Sequence, residues 1–265
     1  MDWPAETVKL TSSKMLSVPE ASVTCLPSPL TTIALVTAFM NSFSRNRRKI
    51  SVGLLISLSG ISQTLQAQTL SSMSDRPLRI LVIGDSLSAE YGLTRGTGWV
   101  ELLKQSMAGA QPPVDITNAS ISGDTTSGGL SRIDAVLSKT QPDIVIIELG
   151  ANDALRGLPL NMTKNNLLNM TRFSKKAGAR VLLAGMQIPP NYGREYTDAF
   201  KNVFVDVARD EDSALIPFFL EGIAEDPAMF QADTIHPNEL AQPILMQNVR
   251  RALMPLIERT QSKRG

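Results

Sequence analysis

The sequence predicts an α/β fold, a parallel sheet with helices on both faces, over residues 78–258. Three observations predict it. Short runs rich in Ile, Val and Leu alternate with longer segments of helical period, as strand–helix–strand units joined by right-handed crossovers do. The run Ile144-Val-Ile-Ile-Glu-Leu149 is almost continuously apolar, which suits a parallel strand covered on both faces. Polar and glycine-rich stretches follow the strands, so they share the carboxyl edge of the sheet, where open α/β sheets bind ligands.

Taken in order, the first strand is 79–83 and stops at the turn residues Gly84 and Asp85. A helix follows over 97–109, with Trp99, Leu102, Leu103 and Met107 at the spacing of one buried face. The second strand is Val114–Asn118 and its helix 127–139. The third strand, Asp143–Leu149, is followed by a helix over 162–177. Strand four, Arg180–Met186, leads through the Pro-rich loop Ile188–Gly193 to a helix over 195–209. The fifth strand, Ser213–Pro217, precedes a long loop and a last helix over 240–257. The end, Gln261-Ser-Lys-Arg-Gly265, is expected to fray.

A chain of 265 residues, 43% apolar, can bury one sizeable core and hardly two. Its formal net charge of +1 gives no reason to expect nucleic acid as a partner. One cysteine, Cys25, excludes an intrachain disulfide and a cysteine-based metal site. One histidine, His236, leaves a single place for imidazole chemistry.

The N-terminal part reads as a targeting segment. Arg45, Arg47, Arg48 and Lys49 precede an apolar run, 50–62, that is shorter than the ~20 residues a membrane-spanning helix needs. Ala67 offers a small residue for cleavage, so residues 40–67 read as a secretory signal peptide. Residues 1–39 precede it awkwardly, and Met40 is the expected start of translation. Residues 1–67 hold six of the 26 Lys+Arg and three of the 25 Asp+Glu, which leaves 68–265 with 20 and 22 and a net charge of −2. That segment has no thiol and needs no oxidative folding in a periplasmic or extracellular compartment.

Four polar stretches follow strands: Gly84-Asp85-Ser86, then Ser120 to Thr126, then Gly150-Ala-Asn-Asp153, and last Asp233-Thr-Ile-His236. A serine hydroxyl is a weak nucleophile unless a base reaches it and a third group orients that base. His236 can be the base for Ser86, and Asp233, three residues before it, can accept the imidazole N–H. Acyl transfer also needs donors aimed at an oxyanion. The Ser86 N–H, the Gly123 N–H and the Asn152 side-chain amide are candidates. Each residue alone has a structural reading: Gly-Asp-Ser as a turn, Gly123 and Asn152 as turn formers, Asp233 as a cap, His236 as a satisfied polar residue. The joint occurrence after strands favours chemistry. Asp85 reads as a turn and loop anchor, since Asp233 has the better claim on His236.

In order and separation, Gly84-Asp85-Ser86-Leu87, Gly123, Gly150-Ala-Asn152-Asp153 and Asp233-Thr-Ile-His236 resemble the four blocks of the SGNH (GDSL) hydrolases. The stretches Asn118–Thr125, Glu148–Gly157 and Pro190–Phe200 are similar to the periplasmic thioesterase/lysophospholipase/arylesterase branch. The resemblance implies Ser86, His236 and Asp233 as the catalytic triad and Ser86, Gly123 and Asn152 as the oxyanion hole. It implies a flavodoxin-like three-layer sandwich, a five-stranded parallel sheet of order 2-1-3-4-5, and no metal or other cofactor. The expected enzyme is a periplasmic or secreted monomeric esterase, with no stable membrane span after processing, acting on small-molecule or lipid acyl esters and thioesters. Pro190 and Tyr192 are the expected substrate-binding residues, lining an acyl groove. A carbohydrate acetylesterase, and a non-catalytic binding module, are the alternatives. Ala151 departs from a Gly-Gly pair and is expected to stiffen the loop beside Asn152.

Overall fold

The computed structural model describes residues 76–264. The expected signal peptide and the stretch before it lie outside the described residues. Five strands form one parallel sheet: β1 (Leu78–Gly84), β2 (Val114–Asn118), β3 (Ile144–Glu148), β4 (Arg180–Ala184) and β5 (Ala214–Ile216), in the order β2-β1-β3-β4-β5. The expected order and orientation hold, and each strand lies within about a turn's length of its sequence-based bounds.

Among the described residues six α-helices flank the sheet: α1 (Trp99–Ser106), α2 (Thr126–Thr140), α3 (Ala151–Leu155), α4 (Leu160–Lys176), α5 (Arg194–Asp210) and α6 (Gln242–Gln261). α1 packs with α6 on one side, while α2, α4 and α5 pack in succession on the other, which makes three layers. β1 and β3 lie between the layers and are buried almost throughout, as their unbroken Ile/Val/Leu runs require. β2 is an edge strand whose Asp115 and Thr117 face solvent. On α1, Trp99, Val100 and Leu103 are buried, whereas Leu102 is only half-buried. The five-residue α3 is not foreseen from sequence; at little more than one turn it has no periodicity to display.

Two features tie the sheet's ends together. As far as Arg264 the end expected to fray is held instead, because Arg264 pairs with Asp143 and donates to the Arg76 carbonyl (3.2 Å). Asp143 also takes both Nη groups of Arg76 (2.6 and 3.1 Å) and the Arg79 N–H (2.8 Å). Burial alone would raise the Asp143 carboxyl, but the Arg79 N–H and the two guanidinium groups outweigh it and hold it below its ordinary value.

At the other end, Gly185 follows β4 and donates to the Ile216 carbonyl (2.8 Å). A Cβ at Gly185 would lie 2.6 Å from that oxygen and 2.7 Å from the Pro217 oxygen, both backbone atoms. Gly185→Ala is therefore expected to spread β4 from β5, cost about 1–3 kcal/mol and lower Tm by about 5 °C. Calorimetry checks it; an unchanged Tm would show that the edge of the sheet yields freely.

Parallel register aligns the strand ends that carry the functional loops. Gly84 pairs with Glu148, and Val82 with Asn118. The turns after β1, β2 and β3 thus leave the sheet side by side. Among the described residues, no helix is long and apolar enough to cross a membrane.

Candidate active site

Ser86 sits in a succession of turns where β1 ends. Asp85 O accepts from the Ser88 and Ala89 N–H groups (3.3 and 3.0 Å), and Ser86 O from that of Tyr91 (3.3 Å). This coil holds the nearly buried Ser86 at the sheet edge. His236 lies 150 residues later, on an irregular loop with Thr234 in the left-handed region (φ 60°). Its Nε2 is 2.9 Å from Ser86 Oγ, and its Nδ1 is 2.7 Å from Asp233 Oδ2. An aspartate at Nδ1 fixes the proton on that nitrogen and leaves Nε2 to accept the serine O–H.

Asp233 is held as an anion by its own loop. Its Oδ1 accepts the backbone N–H groups of Ile235 (2.9 Å) and His236 (3.0 Å). The His236 backbone N–H, then that of Ile235, together with the imidazole, hold the carboxyl down to about 2. Near neutral pH it is a fixed negative partner for an imidazolium.

The three oxyanion candidates converge from different loops. Neither the Ser86 nor the Gly123 backbone N–H has an acceptor among the described residues. Gly123 adopts φ +77°, a conformation glycine takes freely, and so turns its peptide within the loop after β2. That loop is held by Arg132, which donates to Asp124 (2.7 and 3.0 Å) and to the Ala119 carbonyl (2.6 Å), and by Arg156, which donates to the Gly123 carbonyl (2.9 Å). Asn152 opens α3; its Nδ2 donates to Asp85 Oδ2 (3.1 Å) and to the Asp124 carbonyl (3.0 Å). Both amide protons therefore have acceptors, and an oxyanion would share or displace one of them. The neighbouring Asp153 is buried and accepts from Thr126 N (2.9 Å) and Thr126 Oγ1 (2.5 Å), which ties α3 to the start of α2.

Sequence reasoning missed what lies under the serine. Glu148, the last residue of β3, is buried and accepts from Ser88 Oγ (2.7 Å) and the Asp85 N–H (3.4 Å). Burial, then the charge of Asp85, pushes the Glu148 carboxyl well above its ordinary value. Burial likewise pushes Asp85 up to about 6, against the Leu87 N–H and the Asn152 amide, which pull it down. The signal was present: Glu148 is the one charge inside an otherwise apolar strand. Asp85 anchors its loop as expected, through the Leu87 N–H (3.0 Å), and also aims Asn152.

Pro190 to Tyr192 form a short 3₁₀ turn ahead of α5, and Tyr192 is exposed. No hydrogen bond joins Tyr192 to the Ser86–His236 pair; Tyr196, one turn on, reaches the Ala154 carbonyl of α3 (3.5 Å). On the loops that carry Ser86, Gly123 and His236, Tyr91, Ile121 and Ile235 are each about half exposed, at 50, 53 and 51%. The Tyr91 ring lies on His236, with centroids 4.4 Å apart and planes at 40°.

Comparison with known proteins shows the family. Residues 82–242 match the model of the GDSL-like Lipase/Acylhydrolase family. The chain is 48% identical to "Esterase TesA" of Pseudomonas aeruginosa over 178 residues, 67% of this chain and 89% of that one. It is 40% identical over 178 residues to "Thioesterase 1/protease 1/lysophospholipase L1" of Escherichia coli K12, covering 67% of this chain and 84% of that one. Among solved structures, the psychrotrophic esterase EstA from Pseudoalteromonas sp., in a form inhibited by monoethylphosphonate, superposes with a TM-score of 0.65. It is 39% identical, and the match covers 68% of this chain and 99% of that one.

Proposed function

The chain belongs to the GDSL-like lipase/acylhydrolase family and is an ester hydrolase, and from that premise we propose that it cleaves acyl esters and thioesters through an acyl-enzyme on Ser86. The observation that carries this reading is the relay Ser86 Oγ–His236 Nε2–Asp233, at 2.9 and 2.7 Å. Ser86 Oγ attacks the acyl carbonyl while His236 Nε2 takes its proton. Asp233 stabilises the imidazolium. The tetrahedral oxyanion is met by the Ser86 and Gly123 N–H groups and the Asn152 amide. The intermediate collapses as His236 returns the proton to the leaving alcohol or thiol. Water then attacks the Ser86 ester, giving its proton to His236, and the acid departs as Ser86 Oγ is reprotonated.

The exposed Tyr91, Ile121 and Ile235, on the loops that follow β1, β2 and β5, support monoacyl lipids, such as lysophospholipids, and aryl esters as substrates, with Tyr192 on the loop after β4. The basic cluster at 45–49 and the apolar run at 50–62 support export to the periplasm or beyond, where acyl-CoA is scarce.

A rate panel with p-nitrophenyl acetate, octanoate and dodecanoate tests the substrate class. Turnover of the longer esters is expected, and activity confined to acetate would favour the acetylesterase alternative. Phosphonylation by an alkyl fluorophosphonate, mapped by peptide mass, tests the nucleophile: the adduct is expected on Ser86, and a label elsewhere would refute the assignment.

A further inference from the structure

His236 lies on a segment with no helix or strand to hold it, yet it must meet a serine on a different loop within a few tenths of an ångström. Asp233 fixes the imidazole within its own loop and does nothing to fix that loop against Ser86. Beside the Tyr91–His236 ring contact and a bond from the Thr94 N–H to the Glu239 carboxylate (3.3 Å), the link that ties both loops by hydrogen bonds next to the pair is made by Gln231. Its backbone N–H donates to the His236 carbonyl (2.8 Å), which closes the base's loop. Its side-chain amide then donates one proton to the Tyr91 carbonyl (2.9 Å) and the other to the Pro237 carbonyl (3.2 Å). Tyr91 ends the coil that starts at Ser86, and its ring lies on His236. Gly92 supplies the room: a Cβ there would stand 2.0 Å from Gln231 Oε1.

We propose that Gln231 is a positioning residue, which sets the Ser86–His236 separation by joining the nucleophile's loop to the base's loop. The inference rests on the proposed roles of Ser86 and His236. A second, buried amide limits the size of the effect. Gln242 accepts from the Trp99 N–H (3.0 Å) and donates to the Pro237 (3.4 Å) and Asn238 (3.1 Å) carbonyls, so it ties the base's loop to α1 when Gln231 is lost. Loss of Gln231 thus loosens the pair without dispersing it. A misplacement of about 1 Å at a reacting pair costs on the order of 10² in rate, and a partial one less.

The test is Gln231→Leu in the purified enzyme, assayed with p-nitrophenyl butyrate and by its rate of phosphonylation with a fluorophosphonate. The expected result is a kcat lowered by about 10–100-fold, phosphonylation slowed in parallel, and KM close to that of the parent enzyme. A residue that merely stabilised the fold would lower Tm and leave kcat per folded molecule unchanged, and that result would overturn the proposal. A loss carried by KM alone would overturn it as well. Gln231→Ala, which removes the same amide without setting an apolar branch against the carbonyls, is expected to show the same kcat signature; it also serves if Gln231→Leu does not fold. Ser86→Ala, run alongside, separates the two readings. Turnover by Ser86→Ala would remove the nucleophile assignment itself. An inactive Ser86→Ala beside a fully active Gln231→Leu would remove only the positioning role.

Discussion

Ser86→Ala is expected to lower kcat for p-nitrophenyl butyrate by on the order of 10⁶. The estimate follows from what the hydroxyl does. Among the described residues Ser86 Oγ bonds His236 alone, so its removal deletes the proposed nucleophile and disturbs little else. Tm should stay close to that of the parent protein. His236→Ala should cost a similar factor, and the double substitution little more than either, because the two groups act as one unit. Retention of more than about one per cent of kcat by Ser86→Ala would sink the acyl-enzyme mechanism. The pH dependence carries a sign. Asp233 is held down to about 2, so its contribution as an anion is complete above its ordinary value and fades only as pH falls through about 2. Any loss of rate between pH 5 and 7 must then come from groups other than Asp233.

The second large effect is at Asn152. Asn152→Ala is expected to lower kcat by on the order of 10²–10³, the usual cost of one oxyanion donor, with KM changed much less. Its amide is preorganised by two acceptors, Asp85 Oδ2 and the Asp124 carbonyl, on the loops that carry Ser86 and Gly123. The same side chain thereby holds the three proposed donors in one frame. Alanine leaves a buried carboxyl without that partner, so some loss of Tm should accompany the loss of rate. A kcat reduced by less than about tenfold would demote Asn152 to a purely structural link.

How much of this could be read beforehand depended on the kind of signal each part left. β1 and β3 are covered on both faces, which forces long apolar runs and makes them plain in the sequence. Ser86 and His236 stood out because a single imidazole in the whole chain leaves no rival base, and their proximity follows from strand topology. Glu148 was hidden by its neighbours, since an apolar run draws the eye to burial rather than to the one carboxyl inside it. Arg264 sits in a polar tail whose composition says "frayed"; only the distant Asp143 gives it a place, and no local pattern encodes a partner 121 positions away. Gln231 carries no charge and no titratable group. Its importance lies wholly in which carbonyls it faces, and those are fixed by two loops with no periodicity.

Asp143 also has a consequence for how the domain can be rearranged. Arg76, where the described chain enters, and Arg264, where it leaves, both grip this one carboxylate. The carboxylate precedes β3, at the amino edge of the sheet, while Ser86 and the loop of His236 lie at the carboxyl edge. The described segment is thus already close to a ring, fastened on the side away from the proposed chemistry. A short peptide joint between the two ends would complete the ring without crossing the substrate's approach, and new termini could be opened at an exposed turn such as that after α1. Circular permutation is in this sense built into the domain, because two arginines on one carboxylate do the work that a covalent link would otherwise have to do.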